Sequence, residues 1–207
     1  MGLKLISILN YGMGNIRSVQ NALSYLGIES KVIDNPDQIL KSEKLILPGV
    51  GSFRRAMENI NKKDFLNPLN EVLYKKIPIL GICLGMQLMA EESEEDGLTN
   101  GLGWIKGLIK KFPADKIQLK VPHVGFNEVF FENNNKKLYK GLGDKADYYF
   151  VHSYRLLYEE CNCVSGWSEY GDKFVSSIEK NNIFGTQFHP EKSQSNGLIM
   201  LKNFAEL

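Results

Sequence analysis

Cysteine and histidine are scarce in this chain of 207 residues, which contains three of each. Cys83, Cys161 and Cys163 form an odd and sparse set that cannot build a disulfide framework. His123, His152 and His189 show no paired metal-ligand spacing, so neither a metal nor another cofactor is expected. The 25 basic and 24 acidic residues nearly cancel, which removes the electrostatic footprint of a nucleic-acid binder. No apolar run approaches the ~20 residues of a membrane span. The amino terminus turns polar at Asn10 and lacks a small-residue cleavage site, so it reads as a first buried strand rather than a secretory signal. The expectation is a cytoplasmic chain with reduced thiols, forming one domain over residues 1–207 with a sizeable core.

Strands and helices alternate in the first half. Residues 3–9 form an apolar strand, and Asn15 is placed to cap a helix carrying Ile16, Val19, Leu23 and Leu26 on one side. Short strands are expected at 31–33 and 44–47, helices near Met57 and over 65–74, and a strand at 79–82. That order predicts an α/β fold, a central largely parallel sheet flanked by helices, with sites beyond the carboxyl ends of the strands. After Gly97 the pattern changes to strands at 118–121, 128–131, 148–151, 165–170, 175–179 and 183–188, closed by a helix over 196–205. These add antiparallel strands in the C-terminal half. The acidic run at 91–96 reads as the solvated end of a helix over 86–92.

The segment Gly81-Ile82-Cys83-Leu84-Gly85 stands between that strand and helix. Glycine two places before and after a residue at a strand–helix junction is the pattern of a nucleophile elbow, with cysteine in the nucleophile position. A thiol at a helix N-terminus also feels the positive end of the helix dipole. The competing reading is a buried structural cysteine at a tight turn. A cysteine nucleophile needs a base that later acts as an acid, and His189 has the best surroundings: it ends a strand and is followed by Pro190-Glu191. Glu191 can turn back on the imidazole and fix its tautomer. His152 and His123 are as readily structural. Pro48-Gly49-Val50-Gly51 carries two glycines at a strand end, which suits backbone N–H groups aimed at an oxyanion, although an ordinary glycine turn has the same spacing. Asn10-Tyr11-Gly12-Met13-Gly14-Asn15 lacks both the dinucleotide fingerprint and the lysine of a phosphate loop.

Together with Pro122-His123-Val124-Gly125-Phe126-Asn127, Tyr149-Phe150-Val151-His152-Ser153-Tyr154 and His189-Pro190-Glu191-Lys192-Ser193, these motifs resemble the class I glutamine amidotransferases over nearly the whole chain. Within that family they are most similar to the glutaminase subunits of imidazole glycerol phosphate synthases. The resemblance implies a Cys83–His189–Glu191 triad that hydrolyses L-glutamine through a thioester, with Val50, Gly51 and Leu84 supplying the oxyanion hole. It implies glutamine contacts at Gly49, Gly51, Gln87, His152 and Ser153. Asn15, Arg17, Tyr149 and Lys192 match the face toward an ammonia-accepting synthase/cyclase subunit, a (β/α)8 barrel forming a heterodimer and activating the glutaminase; each of the four is equally readable as a solvated surface residue. No nucleic acid and no membrane is implied. Two departures stand out: Val124-Gly125-Phe126 where the family usually has Met-Gly-Trp, and Asn10 where aspartate is common. They leave open a related subunit that feeds amidino-sugar formation in surface polysaccharides. A same-fold cysteine hydrolase or peptidase is the alternative of a different class.

Overall fold

The computed structural model describes residues 5–113, 119–132 and 137–207. Strand β1 (Ile6–Leu9), buried throughout, leads to helix α1 (Ile16–Tyr25). The Asn15 side chain accepts from the Ser18 N–H at 3.4 Å, and Val19, Ala22 and Leu23 enter the core from one helical face. Next come β2 (Ser30–Ile33), the single turn α2 (Pro36–Ile39), β3 (Lys44–Gly49), α3 (Phe53–Lys62), α4 (Leu66–Tyr74) and β4 (Ile79–Cys83).

The second half contains α5 (Leu84–Gln87), β5 (Glu92–Ser93), β6 (Thr99–Asn100), β7 (Leu108–Lys111), β8 (His123–Phe131), β9 (Lys145–His152) and β10 (Tyr154–Leu156). It closes with β11 (Val164–Glu169), β12 (Lys173–Lys180), β13 (Ile183–Thr186), a 3-10 turn (Pro190–Lys192) and α6 (Gln194–Glu206).

Among the described residues nine strands form one mixed sheet in the order β2-β1-β3-β4-β13-β12-β11-β8-β9. The pairs from β2 to β13 are parallel and those from β13 to β9 antiparallel, as the change of pattern after Gly97 implied. Alternation along β3 divides the core. Leu45 and Leu47 face α3 and α4, together with Ile109 and Leu156 of a second sheet ordered β10-β7-β5-β6. Ile46 faces the other way with Ile6, Ile8 and Leu80, against Val19 and Leu23 of α1 and Leu201 and Phe204 of α6. Strand β4 lies between two parallel neighbours, with Gly49 of β3 opposite Cys83 and Thr186 of β13 opposite Ile82. Three carboxyl strand ends therefore meet at Cys83, as expected of such a sheet.

Three local expectations need correction. The helix after Cys83 is one turn long rather than reaching residue 92. The carbonyls of Leu88, Met89 and Ala90 are taken by the N–H groups of Leu102, Trp104, Ile105 and Gly103, so the chain is drawn into the small sheet and residues 91–96 are not a helix end. No strand forms at residues 119–121, while residue 118 lies outside the described residues. Strand β13 stops at Thr186: Gln187 N–H still reaches Ser176 O of its partner β12 at 2.8 Å, but His189 N–H has turned to Tyr149 O of β9 at 2.9 Å. Among the described residues no helix is long and apolar enough to cross a membrane.

Candidate active site

Cys83 adopts φ 54° and ψ −109°, a left-handed backbone for a residue with a side chain. Such a conformation costs about 1–3 kcal/mol and is held only by its surroundings. Those surroundings need glycine. A Cβ on Gly85 would stand 1.8 Å from the Leu47 carbonyl oxygen, and one on Gly81 2.6 Å from the Met86 nitrogen. Strand β4 and α5 thus cross backbone to backbone, and the sulfur is presented at the strand tip. With α5 only one turn long, the electrostatic help at the thiol comes from first-turn amides rather than an extended dipole.

His189 follows β13 and is almost fully buried. Its Nδ1 lies 2.8 Å from Glu191 Oε1, and the Glu191 side chain is equally inaccessible. A carboxylate can only accept, so Nδ1 carries the proton and Nε2 of the neutral ring is left as a base. Nε2 is buried and makes no hydrogen bond. Burial alone would pull the imidazole pKa down, but interaction with the Cys83 and Glu191 side chains outweighs it and raises the pKa to about 10. Cys83 and His189 are therefore electrostatic partners whose resting contact lacks good hydrogen-bond geometry, a looser arrangement than the His189–Glu191 bond. Ser193 Oγ donates to His189 O at 2.6 Å and accepts from Tyr149 N–H at 2.9 Å, which fixes the turn carrying the histidine.

The sulfur opens onto a cavity of about 550 Å³. It is lined by Val50, Gly51 and Ser52 after β3, by Cys83, Leu84 and Gln87 at the elbow, and by Val151 to Tyr154. Of the residues expected at the oxyanion and at glutamine, the structure brings Val50, Gly51, Leu84, Gln87, His152 and Ser153 to this wall. Gly49 stands behind it: paired with Cys83, it lies where a Cβ would meet Tyr11 Oη at 2.4 Å.

Sequence reasoning missed Glu95, which lines the cavity. Its Oε2 accepts from Phe53 N–H at 2.9 Å, and neighbouring Asp96 accepts from Ser52 Oγ at 3.0 Å, so the acidic run caps α3 and ties down Ser52 and Phe53. Burial raises the Glu95 pKa and nearby Asp96 adds to this, while the Phe53 N–H opposes it. Reading residues 91–96 as a solvated helix end hid this carboxylate. Its one sequence signal was acidic density just after the elbow.

His152 and His123 form a buried pair. His152 Nδ1 donates to Tyr154 O at 2.8 Å, so its Nε2 must accept, from His123 Nδ1 at 3.0 Å. His123 Nε2 then faces Asn127 Nδ2 at 3.4 Å, and His123 stacks between Phe150 and Tyr170. Burial keeps both rings neutral, lowering His152 to about 3 and His123 to about 4.

The four expected partner-face residues divide into pairs. Lys192 Nζ lies 5.7 Å from the Tyr149 ring centre, and Tyr149 meets Phe126 edge-on at 5.6 Å. Asn15 is occupied as the α1 cap and Arg17 is exposed on that helix, which packs against the turn holding Lys192. Among the described residues no group of three or more His, Cys, Asp or Glu side chains is placed to hold a metal ion.

The family model for glutamine amidotransferase class-I matches residues 7–206. An imidazole glycerol phosphate synthase subunit HisH 1 of Campylobacter jejuni is 47% identical over 206 residues, covering 98% of this chain and 100% of its own length. Subunits HisH of Moorella thermoacetica (46%, covering 98% and 94%) and Bacillus mycoides (48%, covering 97% and 93%) are similar to it as well. Among solved structures, PurLQS from Thermotoga maritima superposes with a TM-score of 0.78 at 17% identity, covering 99% of both chains, a likeness of fold. A thiol at a strained elbow, an imidazole oriented by a buried carboxylate and full-length relatives lead to one conclusion: this chain belongs to the class I glutamine amidotransferase family.

Proposed function

We propose that the chain is the glutaminase subunit of an imidazole glycerol phosphate synthase, residues 1–207 acting as one amidotransferase domain. The observation that carries the chemistry is the buried, unpartnered Nε2 of His189 beside Cys83, with Nδ1 held by Glu191. The thiol proton rests on Nε2, held there by the raised His189 pKa, and Cys83 Sγ attacks the side-chain carbonyl carbon of glutamine. The tetrahedral oxyanion is received by the Leu84 N–H and by N–H groups of the Val50–Gly51 segment. His189 then protonates the departing nitrogen, which leaves as ammonia, and a glutamyl thioester remains. Water, deprotonated by His189, releases glutamate and restores the thiol. Glu95 supplies a negative charge for the α-ammonium of the free amino acid. Gln87 spends its amide nitrogen on Tyr154 O and Gln187, which leaves its Oε1 to accept from the ligand.

An exposed apolar strip supports a partner. Val124 lies opposite Val151 and Phe126 opposite Tyr149 on neighbouring strands; Val124, Val151 and Phe126 are exposed, and Val151 also lines the cavity. We read this face, with Tyr149, Lys192, Asn15 and Arg17, as the docking surface for a (β/α)8 cyclase that receives ammonia and activates the glutaminase by shifting the Pro48–Gly51 backbone. The names of the relatives support histidine biosynthesis as the pathway. The test is reconstitution with a candidate cyclase. Glutamine-dependent product formation should vanish in Cys83→Ala while ammonia-dependent formation persists. Activity only with an amidino-sugar synthase would reassign the pathway, and peptide hydrolysis without a partner would refute the amidotransferase reading.

A further inference from the structure

We infer that Gln187 is a further catalytic residue of this site, its side-chain amide donating a hydrogen bond to the Cys83 sulfur as the thiolate forms. The inference rests on the reading of Cys83 as nucleophile. Gln187 is fully buried, two residues before His189, and its Nε2 lies 3.8 Å from Cys83 Sγ. The direction of this amide follows from groups that can act in only one sense. The Tyr154 carbonyl oxygen can only accept, and it takes bonds from His152 Nδ1 at 2.8 Å and Gln87 Nε2 at 3.0 Å. The end of Gln87 at that carbonyl is therefore its NH₂. The same nitrogen donates to Gln187 Oε1 at 2.9 Å. Gln187 is thereby oriented with its oxygen toward Gln87 and its NH₂ toward the sulfur.

A neutral thiol is a poor acceptor and a thiolate a strong one, so the bond tightens as negative charge gathers on sulfur. Among the described residues, ionisable groups that interact electrostatically with Cys83 include His189 and the buried Tyr11 phenol, and Glu95 shares the cavity lining. Of these only His189 brings positive charge. Gln187 adds a fixed donor that needs no proton of its own, and His123 steadies it at a distance through His152 and Tyr154 O.

The test compares the full-length wild-type chain with Gln187→Met, which keeps length and bulk but has no N–H. Iodoacetamide alkylation of Cys83 is followed against pH by peptide mapping, which separates it from Cys161 and Cys163. Loss of one charge-assisted bond should raise the pH midpoint by about one unit. At pH below the wild-type midpoint, alkylation and glutamine turnover should fall about tenfold, both recovering at higher pH. Superimposable alkylation profiles, or a turnover loss that higher pH does not restore, would overturn the assignment. Should Gln187→Met not fold, wild-type protein labelled with ¹⁵N-glutamine serves. The Gln187 amide protons should shift over the pH range in which Cys83 becomes reactive, and a stationary resonance would be a refutation. Retained glutaminase activity in Cys83→Ala would instead strike the underlying reading, so the two failures are distinguishable.

Discussion

Glu191 touches no part of the cavity, yet the account assigns it a large share of the rate. Glu191→Gln keeps the shape of a fully buried side chain and removes its charge, leaving His189 Nδ1 facing an amide instead of a carboxylate at 2.8 Å. A hydrogen bond to a charged group contributes about 1.5–3 kcal/mol, so losing the imidazolium's partner alone costs roughly 10- to 100-fold in rate. An amide can also present N–H to Nδ1 and force the wrong tautomer, an effect of about 10⁴ in the analogous serine triad. A fall in kcat of about 10²- to 10⁴-fold is expected, with KM within about threefold because the cavity wall is untouched. The sign of the pH effect is also set. Glu191 helps hold the His189 pKa at about 10, so its loss moves deprotonation, and the alkaline limb of the rate profile, to lower pH. The assay is glutamate release by the reconstituted complex across pH 6–10. A kcat within threefold of wild type, with an unmoved alkaline limb, would refute the reasoning.

Other consequences follow from the same geometry. His123 and His152 have folded pKa values of about 4 and 3, below the ordinary histidine value, so the stability they protect is complete above about pH 6.5 and is lost as pH falls toward 4. Each contributes up to ~1.4 kcal/mol per pH unit, and urea unfolding at pH 7, 6 and 5 should show a steeper loss in wild type than in His123→Phe; equal slopes would contradict the buried neutral pair. At pH 7 the same variant keeps a ring between Phe150 and Tyr170 but orphans His152 Nε2, at a cost of about 1–3 kcal/mol in unfolding free energy, read as a lower urea midpoint. Glu95→Gln should raise the KM for glutamine about tenfold or more with a smaller change in kcat, whereas an unchanged KM would remove Glu95 from substrate recognition.

Much of this site was legible because it is written in short motifs with steric consequences. Gly81 and Gly85 are required where strand and helix backbones cross, and His189-Pro190-Glu191 places acid and base two residues apart. The alternating half was equally readable, since Val19 and Leu23 on α1 keep a helical spacing and β3 is a short, continuously buried run. What stayed hidden depends on contacts between distant segments. The helix after Cys83 does not continue because residues 102–105 claim the carbonyls of Leu88, Met89 and Ala90 just beyond it, and no local propensity records that competition. Strands β5 and β6, two residues each, are too short to show alternation. Glu95 and Gln187 carry no motif of their own and acquire meaning only when Phe53, Gln87 and Cys83 arrive beside them.

The most direct measurement quenches the working complex with acid during steady-state glutamine turnover and maps covalent adducts by mass spectrometry. The account predicts a glutamyl group on the peptide containing Cys83, absent without glutamine. Turnover proceeding at full rate with no adduct there, or with the adduct on another residue, would contradict it.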